Sequence, residues 1–215
     1  MKLLLASEGP RDFGSGETQG IVGVLVRRLL SEKFRRDVSP AEIVPVPLQR
    51  AHKHSSSTSG YPRKVELAII EAAARGFTSV VVVVDRDGPR NVARIQDLQA
   101  GLELAQGNGL AGVAGMSQRT AVGVAIETAE AWLLADSRAL NQALGAKVPT
   151  PPDPESMWGE QQHPKTFLGA LISATDREHG ATLDAIAELV DLGLLERRCR
   201  VGFGALADQI RKACG

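Results

Sequence analysis

The sequence predicts an α/β protein in which a mainly parallel sheet is flanked by helices, as in Rossmann-like folds. The strongest observation is the unbroken valine run at 80–84, which has no polar face and is typical of a central strand covered on both sides. A second observation is that short apolar stretches alternate with segments of helical periodicity. The third is the hydrophobic content of 43%, which is that of an ordinary globular protein.

The short apolar stretches are the predicted strands, at 2–6, 42–46, 80–84 and 119–126. Pro45 lies in the second of them and places it near a sheet edge, because proline cannot donate to a neighbouring strand. Apolar residues at helical spacing predict helices at 21–34, 64–75, 91–105 and 128–134. The glycine-rich segment 9–20 and the serine-rich segment 52–60 are predicted loops.

The last third of the chain is predicted to be a small helical part. It begins with a proline-rich connection at 147–154 and continues with short helices at 165–174, 183–189 and 203–212. A chain of 215 residues is most simply one domain with a single core. We therefore assign 1–140 to the core, and 141–215 to a connection and C-terminal helices that pack on the same domain.

Charge and cysteine content narrow the class of protein. The 25 basic and 25 acidic residues balance, which argues against a surface coated with cations for non-specific DNA binding. Cys199 and Cys214 are the only cysteines, which indicates free thiols in a reducing compartment. The N-terminal apolar run is too short for a signal peptide, and no stretch approaches a membrane span. We expect a soluble, cytoplasmic protein without a membrane partner.

Acidic residues follow two of the predicted strands. Glu8 comes after the first strand, and Asp85 and Asp87 come after the valine strand. Ligands bind beyond the carboxyl ends of parallel strands, and residues two apart in extended chain point the same way. Three converging carboxylates would repel one another unless a cation lay among them, and an oxygen-only set suits Mg²⁺ or Mn²⁺. The alternative is that these acids cap the helices that follow.

A second acidic set follows the predicted strand at 119–126. It consists of Glu127, Glu130 and Asp136. Glu127 and Glu130 are one helical turn apart, so a helix would place them on one face, towards the same pocket. They are candidate ligands for a second metal. The alternative is that they are favourable acids in a first helical turn.

The order of these motifs resembles the Toprim domain, a metal-binding fold of topoisomerases, primases and overcoming-lysogenization-defect nucleases. In that family a Glu follows the first strand, matched here by Ser7-Glu8-Gly9, and an Asp-x-Asp follows a later one, matched by Asp85-Arg86-Asp87. More narrowly, nearly the whole chain resembles the Toprim-like DUF4276 family. The segment Glu-Ala-Trp-Leu-Leu-Ala-Asp at 130–136 and the closing segment at 203–206 fit that family as well.

The resemblance implies a metal-dependent nuclease that hydrolyses DNA phosphodiester bonds, with Glu8, Asp85 and Asp87 as catalytic and metal-binding residues. It also implies an ABC-type ATPase partner and a role in anti-phage defence, and it leaves a homo-oligomer open. One departure stands out. The family usually has Glu-Gly-x-Thr-Glu after the first strand, whereas this chain has Glu-Gly-Pro-Arg-Asp at 8–12, which leaves Asp12 in place of the second acid.

Two other interpretations stay open. Residues 81–88 also resemble the first motif of haloacid-dehalogenase-type phosphatases, with Asp85 as the nucleophile, but Pro89 stands where that motif has Thr or Val. In that scheme Glu8 has no role. The other interpretation is a non-catalytic subunit whose Toprim-like fold binds a partner. The glycines at 14–20 start too far after the first strand to form a dinucleotide fingerprint.

An acidic pocket repels phosphate, so nearby cations must offset it. The candidate phosphate-binding residues are Arg11, Lys64, Arg86 and Arg90. So small a set predicts weak and steeply salt-dependent binding of DNA by the isolated protein. A partner such as the ATPase would then deliver the substrate.

Overall fold

The computed structural model describes residues 1–8, 19–48, 60–88, 90–160 and 162–214. Within them lies a parallel sheet of four strands in the order β2-β1-β3-β4. The strands are β1 (Leu3–Ser7), β2 (Ile43–Pro47), β3 (Ser79–Asp85) and β4 (Thr120–Ala125). The predicted fold class is confirmed, and so are the inner position of the valine strand and the edge position of the proline-containing one.

The two faces of the sheet explain why β3 has no polar face. Val81 and Val83 belong to one buried apolar cluster, and Val80, Val82 and Val84 belong to another on the opposite face. All five side chains are at most 1% exposed. Helices therefore cover both faces, as the continuous β-branched run requires.

Helices connect the strands and then fill the C-terminal part. In chain order they are α1 (Ile21–Arg28), α2 (Tyr61–Ala74), α3 (Arg94–Gln106), α4 (Ala111–Ser117), α5 (Glu130–Leu133), α6 (Ser137–Leu144), α7 (Pro164–Ser173), α8 (His179–Leu189), α9 (Leu192–Arg198) and α10 (Ala205–Cys214). Single π-helical turns follow α1 at Leu29–Lys33 and precede α10 at Arg200–Gly204. None of the described helices has the length and apolar composition needed to cross a bilayer.

The predicted helix boundaries differ from the observed ones where the local signal is weak. The glycine-rich α4 was not predicted, because its sequence Ala-Gly-Val-Ala-Gly-Met-Ser is only seven residues long and contains two glycines, which disfavour a helix. The helix predicted at 128–134 is shorter, since α5 begins only at Glu130. The predicted loops at 9–20 and 52–60 lie almost entirely outside the described residues.

The C-terminal helices pack directly on the sheet. Leu206 of α10 lies so close to Gly123 of β4 that a Cβ atom at position 123 would be 2.7 Å from the leucine Cδ1. Trp132 and Phe203 make an edge-to-face contact with ring centroids 5.4 Å apart, and both are fully buried. One buried cluster thus contains residues from both parts of the chain. The division near residue 140 stays a prediction.

Candidate functional site

The carboxyl ends of β1, β3 and β4 lie at one edge of the sheet, because these strands are parallel neighbours. The sequence-predicted acids follow these strand ends directly. We call this set the acidic edge; its members are Glu8, Asp85, Asp87, Glu127 and Glu130. In open parallel sheets this is the position at which ligands bind.

Glu8 is the first residue after β1, and both of its carboxylate oxygens are engaged. Oε2 accepts a hydrogen bond of 2.6 Å from the Tyr61 hydroxyl, and Oε1 lies 3.0 Å from the Lys64 ammonium. Tyr61 and Lys64 are three residues apart in α2, so one turn of that helix presents both groups to Glu8. The carboxylate is thereby held in a fixed orientation at the sheet edge.

Two cations contact the Tyr61 ring. Lys64 Nζ is 4.4 Å from the ring centroid, and the Arg94 guanidinium carbon is 3.9 Å from it. Burial, the hydrogen bond to Glu8 and the negative charges of Glu8 and Asp87 raise the pKa of Tyr61 above its ordinary value, and Arg94 opposes this. The hydroxyl therefore stays protonated and remains a donor at neutral pH. Its pKa is thus raised by two carboxylates, Glu8 and Asp87, which come after different strands.

Asp85 is the last residue of β3, and groups from two later segments contact it. Its Oδ1 accepts a hydrogen bond of 3.3 Å from the backbone N–H of Ala129, and its Oδ2 lies 2.8 Å from Lys165 Nζ. Lys165 is in the first turn of α7, so the C-terminal part of the chain contributes a cation to the acidic edge.

The residues after Asp85 do not continue the strand. Asp87 has φ of 55°, in the left-handed region, so the alternation expected for extended chain does not extend to it. The argument from extended chain therefore does not apply to Asp87, and the convergence of the Asp85 and Asp87 carboxylates stays a prediction. Arg86 forms an ion pair with Glu127, and this pair joins the end of β3 to the end of β4.

Glu127 and Glu130 are both buried, at 1% and 3% exposure, but they do not share a helical face. Glu127 has φ of 60° and precedes α5, whereas Glu130 is its first residue. The helical argument that placed them together was therefore wrong. Glu130 Oε2 is buried and has no hydrogen-bond partner within the described part of the chain. A buried carboxylate oxygen without a partner is rare in proteins and requires an explanation, of which a bound water or ion is one.

Asp136, from the same acidic set, has a structural role. Its Oδ1 accepts from the backbone N–H groups of Arg138 and Ala139 and caps α6, and its Oδ2 accepts from the N–H of Asp191. All three hydrogen bonds are 2.9–3.2 Å long, and the residue is 5% exposed. Asp136 therefore joins α6 to the start of α9.

Replacement of Asp136 by alanine is expected to lower the free energy of unfolding by about 2 kcal/mol, since it removes a helix cap and leaves buried N–H groups unpaired. Urea denaturation monitored by circular dichroism measures this. Asp208→Ala is the matched control, because Asp208 is exposed and, among the described residues, has Arg211 as its one ion-pair partner. Equal unfolding midpoints for the two variants would contradict the capping role.

The predicted phosphate-binding cations have different environments. Lys64 and Arg86 are ion-paired with Glu8 and Glu127, and Arg90 is exposed. Arg11 lies outside the described residues. Sequence analysis missed Tyr61 and Lys165. The spacing of Tyr61 and Lys64 on one helix face was an available signal, but nothing local connects Lys165 to Asp85, which is 80 residues away.

Cations offset much of the charge of the acidic edge. Glu8, Asp85 and Glu127 each have a lysine or arginine partner. Within the described ranges, no three His, Cys, Asp or Glu side chains are grouped closely enough to hold a metal ion. The predicted Mg²⁺ or Mn²⁺ site therefore stays a prediction. A divalent cation that bound here would compete with the lysines for the same carboxylate oxygens.

The fold and the site define an α/β protein with a charged, mixed acidic and basic site at the carboxyl edge of a parallel sheet. The chain belongs to the family described as domain of unknown function DUF4276, whose sequence model matches residues 16–211. No curated protein and no solved structure matches the chain.

Proposed function

We propose that this protein is a nuclease of Toprim type that hydrolyses DNA phosphodiester bonds with the help of Mg²⁺ or Mn²⁺. The observation that carries the proposal is the acidic edge, where carboxylates that follow three parallel strands are interleaved with lysine and arginine side chains. Phosphodiester hydrolysis needs both kinds of charge. Carboxylates hold a metal, and cations offset the charge of the substrate.

The chemical type of the donors at the acidic edge suits a hard divalent cation, although their side chains would have to move closer together to bind one. They are all carboxylate oxygens, and Glu130 Oε2 is a buried acceptor without a partner in the described chain. The residues that would hold one metal ion, or two, are Glu8, Asp85, Asp87, Glu127 and Glu130. The bound ion would activate a water molecule and stabilise the negative charge that develops on the phosphate.

The remaining groups have roles that follow from their contacts. Glu8 is a metal ligand or the general base, and the Tyr61 hydroxyl fixes the orientation of its carboxylate. Lys64 and Lys165 neutralise Glu8 and Asp85 in the free protein. When substrate is bound, these ammonium groups are close enough to the acidic edge to pair with phosphate oxygens instead.

The proposal also includes the cellular role and the partner of the protein. The chain would act in the cytoplasm as the effector of an anti-phage defence system, with an ABC-type ATPase that brings DNA to it. Support comes from the few cations that remain at the site, since Lys64, Arg86 and Lys165 are already paired with carboxylates. Weak intrinsic affinity for DNA is the expected consequence.

The direct test is cleavage of supercoiled plasmid and of single-stranded DNA by the purified protein. Reactions contain Mn²⁺, Mg²⁺ or EDTA, with and without an ABC-type ATPase of the kind proposed as the partner. We expect cleavage only with a divalent metal. Hydrolysis of p-nitrophenyl phosphate without any DNA cleavage would instead favour the phosphatase chemistry of Asp85. The absence of both activities, with and without the ATPase, would favour a non-catalytic subunit.

Replacement of Lys165 by methionine is expected to tighten Mn²⁺ binding by up to about fivefold. The ammonium occupies Asp85 Oδ2 in the free protein, and a partly exposed ion pair of this kind contributes at most about 1 kcal/mol. Isothermal titration with Mn²⁺ measures the change. Lys212→Met is the matched control, since Lys212 is exposed at the end of α10. Unchanged or weaker Mn²⁺ binding in Lys165→Met would show that the lysine does not compete with the metal.

A further inference from the structure

Close to the acidic edge, a pocket opens along the outer edge of β4. It has a volume of about 420 Å³, within the range of about 300–1,000 Å³ common for small-molecule sites. Val122, Val124 and Ile126 form its floor. Two rim residues, Val92 and Val201, are 72% and 70% exposed, which is unusual for large apolar side chains. We call this the β4 pocket.

The floor of the β4 pocket offers backbone hydrogen-bonding groups. The carbonyl of Ala125 accepts from the N–H of Arg86, so it faces β3. Backbone groups alternate in direction along a strand, and those of Val122 and Val124 therefore face the open edge. Within the described residues, no strand pairs with this edge of the sheet. Donors and acceptors thus alternate along an otherwise apolar floor.

A long peptide strand does not fit along this edge. The turn at Arg200–Gly204 packs against it, and a Cβ atom at Gly202 would lie only 3.0 Å from the carbonyl oxygen of Val124. This close approach closes one end of the edge to continuous strand pairing. What remains open is a compact pocket whose rim carries the side-chain amides of Asn91, Gln99 and Gln209.

Two arginines join the β4 pocket to the acidic edge. Arg86 lines the pocket and pairs with Glu127, and Arg94 lines it and lies over the Tyr61 ring. Arg94 makes no ion pair with any carboxylate of the described residues, and the Nε atoms of both arginines are buried without an acceptor there. The Arg94 guanidinium, which has no carboxylate partner there, is complementary to a phosphate group.

We propose that the β4 pocket binds the nucleobase of a nucleotide whose phosphate lies at the acidic edge. The apolar floor and the two exposed valines would enclose the planar base, and the strand edge and the amides would bind its polar edge. Arg94 would bind the phosphate. A base can reach this pocket only from a single strand or after leaving the duplex stack. The inference rests on the proposed nuclease function and identifies its substrate as unpaired DNA.

The test compares two fluorescent probes by anisotropy, in EDTA and at one salt concentration. One probe is a short oligothymidylate, and the other has the same phosphates with abasic sugars, so that only base contacts differ. We expect the wild-type protein to bind the oligothymidylate about tenfold more tightly. The double variant Val92→Ser/Val201→Ser should lose most of this preference. Leu110→Ser should keep it, because Leu110 is similarly exposed, at 62%, but lies outside the pocket.

Equal affinity of the wild-type protein for both probes would overturn the inference. A second test uses Ala205→Trp, a substitution that fills the pocket. If the protein is a dimer and this variant is a monomer in sedimentation experiments with unchanged oligothymidylate affinity, the inference is also overturned, because the pocket would then hold a second copy of the chain. The proposed nuclease function is tested separately by cleavage. Base-dependent binding without cleavage would support the β4 pocket and contradict the nuclease, and cleavage without base preference would do the reverse.

Discussion

Replacement of Asp85 by asparagine is expected to reduce Mn²⁺-dependent DNA cleavage by at least about 100-fold. A bound metal contributes several kcal/mol to the stabilisation of charge in the transition state, and each 1.4 kcal/mol is about tenfold in rate. Asparagine keeps an oxygen that can accept the N–H of Ala129 but lacks the charge that binds a metal. The measurement is the initial rate of plasmid cleavage at saturating Mn²⁺.

The control for this variant separates chemistry from folding. Asp208→Asn makes the same chemical change at an exposed residue of α10 and should cleave at the wild-type rate. Thermal unfolding of Asp85→Asn should remain cooperative, with a midpoint within a few degrees of wild type. If Asp85→Asn cleaves as fast as Asp208→Asn, Asp85 has no part in the reaction and the proposed mechanism fails.

The fold was predictable where one local pattern allows a single interpretation. The valine run of β3 has no polar face and so requires cover on both sides, which the structure provides. Pro45 limited β2 to an edge. Helix α4 escaped prediction because two of its seven residues are glycine and its stability comes from packing against α2 and α3 rather than from its own sequence.

The site was predictable as far as the strand ends determine it. Glu8 directly follows β1 and Asp85 is the last residue of β3, so the parallel sheet alone places them at one edge. The argument does not extend past the strand ends, because the backbone at Asp87 and Glu127 is left-handed and the alternation of extended chain no longer predicts side-chain direction there. The pairing of Asp85 with Lys165 depends on how α7 packs, and no local pattern encodes it.

The segment at 130–136 combines residues that have a structural role with one that does not. Trp132 packs against Phe203, and Asp136 caps α6, so the burial of these two residues is explained by their contacts. Glu130 has no such explanation. It is 3% exposed, and its Oε2 lacks a partner among the described residues. A buried acceptor without a partner lowers stability, which makes a role in ligand binding the better account.

Replacement of Glu130 by methionine is therefore expected to raise the metal-free free energy of unfolding by about 1–3 kcal/mol, because it removes a buried, unsatisfied acceptor and keeps the volume. The same variant should lose most of the stabilisation that saturating Mn²⁺ gives the wild-type protein, about 3 kcal/mol at 100 times the dissociation constant. Urea denaturation with and without Mn²⁺ measures both effects.

Glu66→Met is the matched control, since Glu66 is also buried, at 8% exposure, but its oxygens pair with Arg63 and Asn108. That variant should be destabilised and keep its response to Mn²⁺. If Glu130→Met is destabilised as much as Glu66→Met, the Glu130 carboxylate stabilises the fold and is not a metal ligand.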